Sequence, residues 1–249
     1  MSWLDLPREP EPEVMDDSDE VEAYASAAGQ AYLGKIDNTF VEHALRLVAG
    51  RAAGRALDIG TGPGQIVLKL ARRLPGWQFL GVDRSPSMIQ QARGSLGSSP
   101  THSSSAGAQH AVPALGARVQ FFIADGNRLP FPDADFDLVM CNSVLHHLAQ
   151  PQRLLAEVAR LVKPDGAILL RDLRRPSRLA YPLHVRWYGR HYSGLMYKLY
   201  CASVRSAYTV SELEQMLRAS PLSGTRPDSI GARVFRHRRT HLGLERPIG

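Results

Sequence analysis

The spacing of apolar residues changes near residue 55. Upstream, Val41, Ala44, Leu45 and Val48 in "VEHALRLVAG" recur at helical spacing, and Gly50 suits the end of that helix. The pattern predicts helices over about 18–30 and 37–49, the first opened by a capping pair, Asp17 and Glu20. Downstream, short apolar runs take over. "RALDI", "QFLGVD", "RVQFFIAD", "FDLVMCN" and "AILLRDL" read as strands. "GQIVLKLARRL", "SPSMIQQAR" and "PQRLLAEVARLV" read as amphipathic helices between them. Strands alternating with helices predict an α/β protein: a mostly parallel sheet with helices on both faces. A Ser211-capped helix and two final strands within "ARVFRHRRTHLGLERP", one of them antiparallel, complete the pattern.

Two stretches fall outside it. Residues 1–17 read as a disordered acidic arm, or a loosely docked one. Residues 94–117 are rich in Gly, Ser, Ala and Pro without a period, and read as a mobile surface insertion. The remainder, 18–249, is expected to be a single domain. No apolar run approaches the roughly 20 residues that cross a bilayer. The acidic, Pro-rich start is unlike a signal or transit peptide, so the cytoplasm is the expected compartment. Cys141 and Cys201 lie far apart and outside any C-x-x-C pattern, which speaks against a disulfide framework or a cysteine zinc site.

The net charge of +6 is unevenly distributed. Residues 1–22 hold nine acidic residues against Arg8 alone, while 171–249 hold fifteen Lys or Arg against five Asp or Glu. Two solvated surfaces that attract each other account for this more simply than an anionic partner does. The arginines at 236–239 read as a solvated turn, not a nucleic-acid patch.

Candidate chemistry concentrates in "ALDIGTGPGQIVLKLARRLPGWQFLGVDRSPSMI". Gly60, Gly62 and Gly64 lie between a strand and a helix, where bare backbone admits positive φ and close approach by a ligand. Asp83 ends the next strand, where a carboxylate can accept hydrogen bonds from two ribose hydroxyls. Gln65 stands where the dinucleotide fingerprint G-x-G-x-x-G needs its last glycine, which points away from NAD or FAD and toward another nucleoside.

"LDIGTGPG", "GVDRSPSMI", "FFIADGNRLPFPDADFDLVMCNSVLHHL" and "LLAEVARLVKPDGAILLRDL", in that order, resemble a class I S-adenosylmethionine-dependent methyltransferase. The resemblance is to the small-molecule group that includes the ubiquinone and menaquinone biosynthesis enzymes, and it covers about residues 40–175. It implies a Rossmann-like, seven-stranded sheet, N-terminal cap helices and a substrate lid after the fifth strand, over 174–210. It further implies S-adenosylmethionine as cofactor. Gly60, Thr61, Gly62 and Gly64 would lie beside its methionine half, Asp58 would order that turn, and Asp83 would bind the ribose. Arg84 and Met88 would flank the adenine, Asp125 and Gly126 would meet its 6-amino group, and Asn142 and Ser143 would face the methyl group. Each residue has a plainer reading as a cap or a core side chain; their joint order along one sheet favours binding.

Methyl transfer needs alignment, exclusion of water and sometimes a base. By resemblance, His147 lies near the acceptor as base or hydrogen bonder; a histidine packed for structure alone is the competing reading. His146 and His147 are not expected to share a metal, because neighbours on a helix point about 100° apart; no metal site is expected. Arg171, Asp172, Arg174 and Tyr192, from the fifth strand and lid, are substrate candidates, and Tyr24 and Tyr32 would close the opposite side. The acceptor is expected to be a small molecule. RNA or protein methylation is the alternative, weakened by "CNSV" where base-amine enzymes carry Asn/Asp-Pro-Pro-aromatic. Cofactor binding without turnover is a further alternative.

Overall fold

The computed structural model describes residues 3–11, 31–97, 114–224 and 231–249. Seven strands form one sheet: β1 (Gly54–Ile59), β2 (Trp77–Asp83), β3 (Val119–Ile123), β4 (Phe136–Asn142), β5 (Val162–Leu173), β6 (Arg233–His237) and β7 (His241–Arg246). Their order is β3-β2-β1-β4-β5-β7-β6. The first five run parallel, and β7 is antiparallel to both β5 and β6. Parallel strands are covered on both faces, which is why β4 is an almost unbroken apolar run.

The period of two along each strand splits the core. Leu57, Ile59, Val139 and Ile168 point to one face, beneath α5 (Pro151–Leu161) and α8 (Val210–Arg218). Ala56, Leu138, Met140 and Leu169 point to the other, beneath α1 (Ala31–Leu47), α2 (Gln65–Arg73) and α3 (Pro86–Gly97). A short α4 (Leu115–Arg118) leads into β3. Beyond β5, α6 (Tyr181–Tyr188) and α7 (Gly194–Ser206) build a smaller apolar cluster around Val185, Tyr200 and Val204. They occupy the expected lid region.

The expectations need four corrections. Helix runs unbroken through 31–47, where a break before residue 37 was expected; the expected helix over 18–30 and its capping pair lie outside the described residues. Both described ends of the 94–117 insertion are helical, since α3 continues to Gly97 and α4 takes 115–118; residues 98–113 lie outside the described residues. Thr209, not Ser211, caps α8: its Oγ1 accepts from Glu212 N–H, and the Glu212 carboxylate accepts from Thr209 N–H at 2.7 Å.

Finally, residues 3–11 are docked, not disordered. Leu6 is buried. Arg8 Nε donates to Ser206 O at 2.6 Å, and its guanidinium lies 4.4 Å from the centre of the Tyr208 ring. Glu9 pairs with Arg205, and Ser203 Oγ donates to the Glu11 carboxylate. The acidic arm thus meets the basic region beyond β5 directly.

Candidate active site

The connections after β1 and β4 leave the sheet toward opposite faces, which opens a crevice at the carboxyl ends of these strands. A cavity of about 250 Å³ lies there and extends to α6 and α7, the region expected to form a lid.

One half is built from backbone and carboxylates. Gly60 has φ +71°, and a Cβ there would lie 2.3 Å from Val144 Cγ2, so packing alone demands glycine. Gly62 has φ +52° and nothing within 4 Å of where its Cβ would be; any side chain there would occupy the cavity. The Gly60 and Thr61 N–H groups both donate to Val82 O, which ties the turn to β2. Asp83 completes it: Oδ2 accepts from Gly62 N–H at 2.8 Å and Oδ1 from Ser85 N–H at 2.9 Å. Burial raises the Asp83 pKa against these bonds.

Asp58 sits behind the turn. Burial lifts its pKa to about 7, and the nearby Asp83 and Asp37 carboxylates add to the rise. Asp58 Oδ1 and Thr61 Oγ1 are both buried without a hydrogen-bond partner. Unmatched oxygens of this kind are costly, and a ligand donor would relieve them. On the far wall, Asp125 Oδ1 accepts from the backbone and side chain of Asn127, both at 3.0 Å. Arg84, Met88 and Gly126 complete that wall, and Asn142 and Ser143 lie at its junction with the lid. Ser143 has φ +60°, an uncommon conformation for a residue with a side chain. Nine of the twelve expected cofactor residues line the cavity; Asp58, Thr61 and Gly64 stand behind it.

The other half is aromatic and aliphatic. Leu173, Tyr188, Tyr192, Met196 and Tyr200 line it, with the Tyr192 and Tyr200 rings 5.1 Å apart. Of the substrate candidates whose side chains are described, only Tyr192 is found in the lining. Arg171 is buried and points to α1: its Nη1 donates to Thr39 Oγ1 at 2.9 Å, and its guanidinium lies over Phe40. Burial lowers the Arg171 pKa to about 10, although Asp37 and Asp172 oppose the change. Its Nε also donates to Asn142 Oδ1, so it positions the lining residue from behind. Arg174 lies outside the lining; its N–H donates to Thr240 O. Tyr24 lies outside the described residues, as does the side chain of Tyr32.

Asp172 is fully buried and serves a histidine. Its Oδ1 lies 2.5 Å from His146 Nδ1, and its Oδ2 accepts from His146 N–H at 2.9 Å. Burial alone would lower the His146 pKa, but the Asp172 carboxylate outweighs it and the net shift is upward. His147 lines the cavity, as expected. Burial takes its pKa down to about 3, with His146 adding and Asp172 opposing. Burial thus favours the neutral ring, and a carboxylate beside it would act in the opposite sense. The two rings do converge, with centroids 4.0 Å apart, because they lie on a tight 3₁₀ turn (Leu145–His147) and not on an α-helix. Glu11 completes the group: its Oε2 is 3.2 Å from His147 Nδ1 and 3.7 Å from His146 Nε2. Glu11 carried no local signal, being one acid among many.

Residues 57–170 match the family model described as a methyltransferase domain. The demethylmenaquinone methyltransferase of Thermus thermophilus is 31% identical over 145 residues, 58% of this chain and 59% of that protein. The ubiquinone/menaquinone biosynthesis C-methyltransferase of Geobacter sulfurreducens is 28% identical over 58% of this chain and 52% of that protein. This chain therefore spans between about half and three-fifths of the length of these relatives. Among solved structures, the plantazolicin methyltransferase BpumL in complex with SAH superposes with a TM-score of 0.67 at 16% identity, over 92% of this chain and 90% of that one. A SAM-dependent methyltransferase from Aquifex aeolicus superposes with a TM-score of 0.54 at 18% identity, over 82% and 87%. At such identities the likeness speaks for the fold alone, the expected Rossmann-like, seven-stranded sheet.

Proposed function

We propose, from the match of residues 57–170 to the methyltransferase domain family, that this chain is a class I S-adenosylmethionine-dependent methyltransferase and transfers a methyl group to a small molecule by in-line displacement. The observation that carries the reading is one cavity with two unlike halves: a glycine and carboxylate cradle continuous with an aromatic chamber.

The cradle fits S-adenosylmethionine. Asp58 and Thr61 hold unmatched oxygens beside the turn, and Gly62 leaves open space before it. Gly60, Thr61, Gly62 and Gly64 with Asp58 hold the methionine half, Asp83 the ribose, Asp125 and Gly126 the adenine edge, and Arg84 and Met88 its faces. When bound, the cofactor supplies a methyl group on a sulfonium, which is already a good leaving group. The chain therefore needs no nucleophile of its own. Asn142, held by Arg171 Nε, and Ser143, fixed at positive φ, position the boundary between cradle and chamber. Tyr188, Tyr192 and Tyr200 hold the acceptor and keep water away.

A chamber of this composition suits a flat, largely apolar acceptor. The relatives named for demethylmenaquinone agree with that class. Nucleic acid is a poor fit, because several arginines of the basic third are engaged internally: Arg171 with α1, Arg175 with Ala207 O and Glu212, Arg205 with Glu9. The proposed compartment is the cytoplasm, which the unpaired Cys141 and Cys201 suit. Among the described residues no helix is long and apolar enough to cross a membrane.

The test has two stages. Calorimetry should show S-adenosylmethionine binding to the chain. Incubation with methyl-labelled cofactor and fractionated extract should then place the label in the small-molecule fraction. Label in RNA or protein, or no transfer to any fraction, overturns the reading.

A further inference from the structure

Glu11, His146 and His147 exceed what methyl transfer requires. Two imidazoles and a carboxylate, from the arm and from the turn after β4, bring one ligand atom each to within 4.8 Å of one another. Both histidines line the cavity. We propose that Glu11 Oε2, His146 Nε2 and His147 Nδ1 form a binding site for a divalent transition-metal ion at the lid end of the cavity.

Three observations support this. The first is spacing. Ligands about 2.0–2.2 Å from a common ion stand roughly 3–3.6 Å from one another; Glu11 Oε2 lies 3.2 Å from His147 Nδ1 and 3.7 Å from His146 Nε2. All three atoms lie within 4.8 Å of one another, so the widest pair closes by at most about 1.2 Å around an ion. The second is support from behind. Metal-bound histidine usually gives its other ring nitrogen to a carboxylate, which fixes the ring and raises its basicity. His146 Nδ1 lies 2.5 Å from Asp172 Oδ1, which leaves Nε2 as the nitrogen that faces Glu11. Ser203 Oγ likewise donates to both oxygens of Glu11, at 3.1 and 3.2 Å. The third is the donor set. Two nitrogens and one carboxylate suit zinc, iron, cobalt or nickel and not magnesium, and three protein ligands leave a position open on the cavity side. Asp172, buried and set against His146, lacks an evident purpose in methyl transfer; the metal site provides one.

The ion would also join the arm to the wall of the cavity, since Glu11 belongs to the docked segment and the histidines to the turn after β4. The site stands without the methyl-transfer reading. Only its use, the capture of an acceptor oxygen at the open position, rests on that reading.

The test uses the full chain, stripped with chelator and titrated calorimetrically with Zn²⁺, then with Co²⁺ to read the visible absorption of a nitrogen- and oxygen-bound ion. One ion per chain is expected, with no displacement by millimolar Mg²⁺. Glu11→Gln, which keeps the shape and the Ser203 contact, and His147→Ala should each abolish the one-to-one event. Ser203→Ala, which removes only the hydroxyl behind Glu11, should weaken it by about tenfold. Circular dichroism and S-adenosylmethionine binding, measured on the same samples without metal, establish that each variant is folded. Absence of a one-to-one event, or Zn²⁺ curves that superimpose for wild type, Glu11→Gln and His147→Ala, overturns the site. Cofactor binding that persists in that case leaves the methyltransferase reading intact, so the two failures are distinguishable.

Discussion

The two halves of the cavity are made by different means. The cradle is local: Asp58 to Gly64 is one strand end and its turn, and Asp83 joins it from the adjacent strand through a single hydrogen bond to Gly62. The chamber is assembled from afar, with α6 and α7 laid over β5 and an arm some 200 residues away in sequence pinning α7 through Arg8 and Glu11. Backbone geometry governs the first, side-chain packing the second. The cradle should therefore be brittle to single substitutions and the chamber tolerant.

Gly60→Ala is the severest test of that contrast. It puts a Cβ 2.3 Å from Val144 at positive φ, and it should cost about 3 kcal/mol or more of stability and eliminate cofactor binding, read by thermal melts and calorimetry. Asp58→Asn comes next. A carboxyl whose folded pKa stands at about 7, above the ordinary carboxylate value of 3.8, favours the folded state fully at low pH and loses that advantage as pH rises from about 4 through 7. The asparagine variant escapes the loss. Relative to wild type, it should gain on the order of 2–4 kcal/mol between pH 4 and pH 8, while binding S-adenosylmethionine more weakly. A pH-independent difference in denaturant midpoint would contradict this. Asp83→Ala should weaken cofactor binding by about 1–3 kcal/mol, the cost of unmatched polar groups. On the chamber side, Tyr192→Ala should raise the acceptor KM by about tenfold, on the order of 1–1.5 kcal/mol, and leave cofactor affinity unchanged. A change in cofactor affinity instead would merge the two halves. Arg8→Ala, which removes the hydrogen bonds to Ser206 O and His146 O and the Tyr208 ring contact, should cost about 1 kcal/mol of stability, seen in urea unfolding, with a larger effect on proteolysis of α6 and α7.

The same contrast explains what was legible in the sequence. The glycine turn, Asp83, Asp125 and Asn142 are legible because each sits at or just beyond a strand end, and strand ends follow from the apolar pattern; Met88 is legible because Ser85-Pro86 marks the start of α3 just after β2. Arg171 and Asp172 were also placed correctly on β5, but their destinations were not visible. Arg171 turns to α1, and Asp172 to a histidine backbone, because the period of two sends adjacent residues to opposite faces where different helices wait. His146 and His147 were read with α-helical angles, and the 3₁₀ turn brings their rings together. Glu11 was one carboxylate in an acidic run, and only the docked arm distinguishes it. Thr209 and Ser211 each have a glutamate three residues on, so the local pattern fits both; Thr209 is the cap because its backbone is extended (φ −84°, ψ 166°) and Ser211 already lies inside α8.

The position of β7 has a further consequence for biosynthesis. It lies between β5 and β6 although it follows both in the chain. While a nascent chain is still being translated, the outer edge of β5 stays without its neighbour until residues 241–246 leave the ribosome. Until then, backbone hydrogen-bonding groups beside Ile168 to Leu170 are open to pairing with any passing strand. Synthesis that stalls just short of that point exposes an adhesive edge on an otherwise finished body, the kind of intermediate that chaperones are needed to shield.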